Sequence, residues 1–299
     1  MFRRHLLAAT LLGLLAVAPA LAPSAQAAPV GPQAGDWALT YKVYVGGVHV
    51  LDANAHVALL PDAYRIGVQA ATDGFLGRVA NWRTDIATAG AVTPDGRIQP
   101  ILYRTVGSFR DEPQNTTVDY RADGNPVVTL AEPPPEEDRE PVPPDLMPGT
   151  VDPMSAVMAA LQAVAQGRGC TADVAVYDGR QRYDLAFLPK GTETLEATEY
   201  SPFAGPAEAC GFKFTPRAGR WKERDRRDGR EEDAGRRNRD GRDITVWVAP
   251  AAAEAPPVPV RAEAPSPLGT VKIHLAEIRR VDAAPAATGK TQAALAPTP

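Results

Sequence analysis

VDPMSAVMAALQAVAQGRGCTADVAVYDGRQRYDLAF, residues 151–187, carries the clearest helix signal in the chain, one of its two cysteines and a well-marked β-hairpin. Asp152 can cap the helix, and Pro153 suits the first helical position, where a missing N–H costs nothing. Met154, Val157, Met158, Leu161 and Val164 recur at helical spacing and form an apolar stripe. The other face holds Ser155, Ala159, Gln162, Ala163 and Gln166, which are small and only weakly polar. Gly167 and Gly169 end the run. A helix this poor in charge is expected to be buried on much of its circumference. Downstream, residues 172–177 and 182–188 flank Asp178-Gly179, a turn dipeptide that joins two strands.

Upstream the pattern is β. Residues 37–45, WALTYKVYV, are rich in aromatic and β-branched side chains, with Leu39, Tyr41, Val43 and Val45 on one face. Gly46-Gly47 supplies the positive φ of a two-residue hairpin into a long return strand, 48–60. Further strands are expected at 64–68, 81–87, 101–109, 116–121 and 126–130, separated by Asp-Gly and Pro-Asp turns. This spacing predicts an antiparallel meander that curves into a sheet, sandwich or barrel, and no βαβ rhythm appears. The simplest place for the helix is the concave side of that sheet, so the predicted class is mainly β, a curved antiparallel sheet or half-barrel packed around one α-helix. After the hairpin, 194–200, 207–214, 244–248 and 268–278 read as strands.

Three segments break the pattern. Residues 131–149, AEPPPEEDREPVPPDLMPG, combine proline with adjacent carboxylates and read as an exposed linker. Residues 222–243, KERDRRDGREEDAGRRNRDGRD, mix charges that nearly cancel and contain no apolar residue beyond alanine, the composition of a disordered insertion. Residues 283–299 form an Ala/Pro/Thr tail with nothing to bury. The expected organisation is a leader over 1–27, one β domain over 28–282 carrying both insertions, and the tail.

The leader has Arg3 and Arg4, an apolar core and an Ala25-Gln26-Ala27 cleavage pattern, which is the build of a secretory signal peptide. Its apolar run is too short to span a bilayer, and no integral membrane segment is expected after cleavage. The expected location is the periplasm. Cys170 and Cys210 are the two cysteines of the chain. In an oxidising compartment they most simply form one structural disulfide, whereas a redox-active pair normally uses C-x-x-C spacing.

The chain of 299 residues has a formal net charge of −4, which argues against a nucleic-acid partner. His49, His56 and His274 show no metal-ligand spacing, and neither H-E-x-x-H, G-x-S-x-G nor a phosphate-binding glycine loop occurs. No cofactor, metal or catalytic residue is therefore expected. A hydrolase with a site gathered from distant segments is the alternative enzymatic reading. The aromatic residues Trp37, Tyr41, Tyr64, Trp82 and Tyr103 lie on the early strands. They pack a core, or they line an apolar groove between sheet and helix that holds a lipid-like ligand. The groove residues on the second reading are Met154, Val157, Met158, Leu161 and Val164 with Tyr41 and Trp82. An envelope protein recognised through the linker or the charged insertion is the alternative partner.

The stretches YKVYVGGV (41–48), DPMSAV (152–157), VYDGRQRYDL (176–185), FAGPAEAC (203–210) and PLGTVKIHLAEI (267–278) together resemble the exported bacterial family catalogued as domain of unknown function 3108. The resemblance covers roughly residues 37–281. It implies a curved antiparallel sheet around a helix, similar in outline to the periplasmic lipoprotein-carrier proteins, and it supplies no catalytic residue. Fold of itself licenses no function.

Overall fold

A computed structural model describes residues 34–74, 77, 81–134, 139–220 and 244–281. The chain runs through β1 (Gly35–Val45), β2 (Val48–Leu59), β3 (Ala63–Thr72), β4 (Trp82–Val92) and β5 (Ile98–Phe109) to the short β6 (Glu112–Pro113), β7 (Asn115–Tyr120) and β8 (Pro126–Glu132). Helix α1 (Pro153–Ala165) follows, then β9 (Ala172–Tyr177), β10 (Arg182–Leu195), β11 (Gly205–Ala218), β12 (Thr245–Pro250), β13 (Pro257–Ala264) and β14 (Val271–Arg280).

All fourteen strands belong to one sheet in the order β8-β7-β5-β4-β3-β2-β1-β14-β13-β12-β11-β10-β9, with β6 paired to β5. Every strand pairing is antiparallel, which short turns between sequence neighbours make cheap to form. The first and last strands, β1 and β14, pair in the middle of the sheet, while the helix carries the chain from one edge to the other. The sheet curls until those edges approach. Tyr120 Oη donates to the Tyr177 carbonyl at 3.5 Å, and Arg180 Nη2 donates to the Pro133 carbonyl at 2.7 Å. The result is a mainly β fold, a single antiparallel sheet nearly closed into a barrel, with α1 packed against its concave side.

The Gly46-Gly47 turn is the expected one, with φ of 56° and 86°. A side chain at Gly46 would also put a Cβ 2.7 Å from the Leu268 carbonyl oxygen, so conformation and space both select glycine. At the far end of the helix run, Gly167 adopts φ of 70° beyond the Gln166 cap.

Three strand boundaries differ from expectation. The proposed separate strands at 182–188 and 194–200 are one strand to Leu195, made continuous by a bulge between Pro189 and Gly191. Residues 196–203 form a loop instead. β6 and β13 are not among the expected strands; at β13, Pro257 and Pro259 argue against a ladder. Pro257 begins the strand and Pro259 sits where the register shifts beside Val248, positions that tolerate a missing N–H. Finally, the described residues of the 131–149 segment are mostly exposed, as expected of the linker, yet several are anchored. β8 extends into it as far as Glu132, Val142 and Met147 pack on a tyrosine cluster, and the Glu140 amide donates to the Arg220 carbonyl. The 1–27 leader, the 222–243 insertion and the 283–299 tail lie outside the described residues.

Candidate functional site

On β1 to β5 alternation assigns one face to the helix, and cross-strand register arranges that face in rows. The row nearest the helix N-terminus runs Leu59, Tyr64, Gly90, and the next runs Trp37, Val57, Ile66, Thr88, Tyr103. Here the helix docks. Met158, 4 % exposed, and Met154 pack with Leu59, Tyr64 and Ile66. Ala156 meets Val151, Val176 and Tyr183, while Leu161 and Val164 pack on the Cys170–Cys210 disulfide and Val248. The cysteines are bonded across a sequence separation of 40. Val157 is half-buried.

Of the apolar stripe only Met158 is among the fully buried helix positions, which are Ser155, Ala156, Met158, Ala160, Gln162 and Ala163. Small side chains let the helix approach the sheet closely, and Ser155 is buried because it has partners. Asp152, 0 % exposed, accepts from the amides of Met154 and Ser155 at 2.9 and 3.0 Å. Its other oxygen accepts from Ser155 Oγ, and Tyr64 Oη lies 2.5 Å from that same hydroxyl. Thr88 Oγ1 stands 3.0 Å from Asp152 Oδ2 and 3.0 Å from the Leu102 carbonyl, so its one proton serves either acceptor. Burial pushes the Asp152 carboxyl above its usual range, and the hydrogen bonds from Ser155, Thr88 and Met154 act the other way. The Tyr64, Tyr103 and Tyr120 hydroxyls are likewise raised by burial.

This cluster contains a serine beside a carboxylate, but both are committed to holding the helix. Ser155 is 0 % exposed and sits in the first turn, so a substrate carbonyl has no path to its Oγ. The histidines contribute nothing to it. His56 Nε2 lies 2.6 Å from Asp36, and His49 Nε2 lies 2.8 Å from Asp52. His274, 4 % exposed, packs under Tyr200 and against Tyr44, with ring centroids 6.2 and 6.0 Å away. Burial first, then the Arg261 and Lys272 charges, lower the pKa of His274. Among the described residues no three His, Cys, Asp or Glu side chains are grouped to hold a metal ion.

Away from the helix the same face opens. The third row is Leu39, Ala55, Val68, Ile86, Thr105, and all but Leu39 are half-buried. The fourth, Tyr41, Ala53, Ala70, Thr84, Gly107, has no fully buried member, and neither has the fifth, Val43, Leu51, Thr72 on its three strands. Trp82, which closes β4 on this face, is half-buried, and its partner Phe109 is exposed. All five early aromatics therefore lie on the helix-bearing face, as the alternation implies. They are not brought to one place. Trp82 is six residues from Thr88 along β4, about 20 Å at strand rise, and joins none of the clusters around the helix. Tyr41 packs with Trp37 and Leu39 toward β11–β13. The reading that grouped Tyr41 and Trp82 with the helical methionines joined two ends of one face. Ala53, Ala70 and Thr84 were missed, although a run of small residues at alternate positions was a readable signal of an unfilled surface.

The chain matches the family described as "Protein of unknown function (DUF3108)" over residues 40–276. It belongs to that family. The match runs from within β1 into β14, so the DUF3108 unit includes the helix, the disulfide and most of the concave face, without Trp37 and Leu39. Among solved structures, similarity is found to the crystal structure of a β-barrel-like protein of domain of unknown function DUF1849 from Brucella abortus. The two share 11 % identity with a TM-score of 0.47, over 84 % of this chain and 99 % of that one. No curated protein matches the chain. Among the described residues no helix is long and apolar enough to cross a membrane.

Proposed function

We propose that this DUF3108 member is a non-catalytic periplasmic protein that binds an apolar, lipid-like ligand on the concave face beyond the helix. The supporting observation is the gradient of burial along β1 to β5. Rows covered by α1 are closed, and the rows through Ala55–Val68–Ile86 and Ala53–Ala70–Thr84 are apolar or small and half-exposed. Exposed apolar surface of this kind is stabilised by an occupant, and small side chains leave room for one. The disulfide and the leader pattern support an oxidising, exported setting.

Native mass spectrometry of the full chain purified from the host envelope tests the proposal. The expected result is a reproducible apolar adduct that disappears in Ala70→Trp while the thermal unfolding transition is retained. Protein free of any adduct, or an adduct indifferent to Ala70→Trp, overturns it.

A further inference from the structure

The opposite, solvent-facing side of β14 and β1 to β5 holds a trough of about 730 Å³. Two neighbouring rows line it, together with Leu39, Ala55, Val68 and Ile86 of the row between them. One runs Arg279, Ala38, His56, Gly67, Ala87, Arg104, and the other runs Glu277, Thr40, Asn54, Gln69, Asp85, Val106. Five strand spacings separate its ends, roughly 24 Å. Its volume lies in the range of pockets that take small ligands.

The floor is unusually bare. Gly67 sits in the interior of β3, where glycine weakens a strand and where a close approach by a ligand or another backbone is the usual reason for it. Nothing inside this molecule demands it. Its φ lies outside the left-handed region, and a Cβ would meet only the Ile86 carbonyl oxygen, at 3.9 Å. Ala38 and Ala87 keep the floor low on the strands to either side of β2 and β3. What the fold does not require, an occupant of the trough explains.

The walls state the chemistry. Each end sets one acid and one base on the same face: Glu277 with Arg279, and Asp85 with Arg104. None of these four forms an ion pair among the described residues, so their charges face the trough uncompensated by a neighbour. Between them Asn54 and Gln69 are cross-strand partners; Asn54 Oδ1 accepts from Thr40 Oγ1 at 3.1 Å, and its NH2 and the Gln69 amide are the groups that can donate and accept toward a ligand. No Trp, Tyr or Phe ring lines the trough to stack on a sugar face, and the His56 ring is held 2.6 Å from Asp36.

We propose that this trough binds a short extended peptide carrying side chains of both charge signs. Its backbone amides match Asn54 and Gln69, and its charges meet the mixed pair at either end. About seven extended residues span the length. Unlike the concave face, this site takes a polar ligand.

Calorimetric titration of the full chain with the hexapeptide Lys-Glu-Lys-Glu-Lys-Glu tests the proposal, with all-Lys and all-Glu hexapeptides and a chitin hexasaccharide as comparisons. The expected result is binding of the alternating peptide at least tenfold tighter than either homopeptide, weakened by added salt. Gly67→Phe, whose Cβ meets nothing closer than the Ile86 carbonyl oxygen at 3.9 Å and whose ring projects over the floor, is expected to abolish it. Asp85→Asn with Arg104→Gln is expected to weaken it about tenfold, with unfolding transitions near that of the parent. Equal binding of the three peptides, preference for the saccharide, or binding unaffected by Gly67→Phe each overturns the proposal.

Discussion

The two ends of the concave face are built from the same strands with the same alternation, yet one is closed and the other is open. At the closed end Tyr64, Thr88, Ser155 and Asp152 exchange hydrogen bonds out of contact with water. At the open end Ala53, Ala70 and Thr84 present small side chains to a half-exposed surface. The difference is what covers them: α1 lies over Leu59, Tyr64 and Ile66, strands β10 to β13 close over Trp37 and Leu39, and neither closes the last rows. Period-2 patterning states which side chains share a face, and a second element decides whether that face is covered. A protein that needed only stability would gain from larger residues at the open end, which is why its smallness bears on function.

The disulfide carries the largest expected effect on the closed end. Replacing Cys170 and Cys210 by serine removes a closure over a sequence separation of 40, for a loss of about 4 kcal/mol on the chain-entropy account. Urea unfolding of the variant would show it. A loss well below this means that Leu161, Val164 and Val248 hold the helix terminus without the bond.

Asp152→Ala should follow, at about 3 kcal/mol, since it deletes an N-cap and leaves the buried first-turn amides of Met154 and Ser155 without their acceptor. Asp152→Asn should cost less, because the amide oxygen still caps. The two also differ in pH dependence. The raised carboxyl pKa of the folded state means that the folded protein holds the proton more tightly than the unfolded chain. That contribution is full below the usual carboxylate pKa and is lost as pH rises through the folded value. Denaturation of wild type and Asp152→Asn across the acid range should therefore show wild type losing ground to the variant as pH rises. Parallel profiles would place the carboxylate's charge outside the stability balance.

Met158→Ala, at the closed end, is expected to cost about 2 kcal/mol or more. Trp82→Ala, at the open end, should cost clearly less because the ring is already half-exposed. Equal losses would erase the distinction between the ends. The smallest effect belongs to His274, away from both. Its folded pKa is lowered, so the unfolded chain takes the proton more readily, and stability should fall as pH drops below about 6.5. His274→Phe should remove that slope, read from the same unfolding series.

Much of the closed end was readable residue by residue. Asp152 and Pro153 marked the helix start, and the paired glycines marked the first hairpin. The order of motifs placed the chain in its family. What was not readable depended on partners distant in sequence. Ser155 looks like a surface residue of a weakly polar face until Tyr64, 91 residues upstream, meets its hydroxyl. Pro259 argues against a strand until the register shift beside Val248 makes its missing N–H harmless. Trp82 looks like a companion of the helical methionines until strand rise puts it about 20 Å away.

Local chemistry alone thus determined the mainly β class, the helix and its cap, the turns and the pairing of the two cysteines, since each depends on backbone preferences within a few residues or on simple counting. Only the tertiary structure decided how far along the sheet the helix reaches. It also decided which small residues are packed against it and which face solvent, and that the opposite face is furrowed around Gly67. Those are properties of curvature and register, set by contacts between residues tens of positions apart, and no local pattern encodes them.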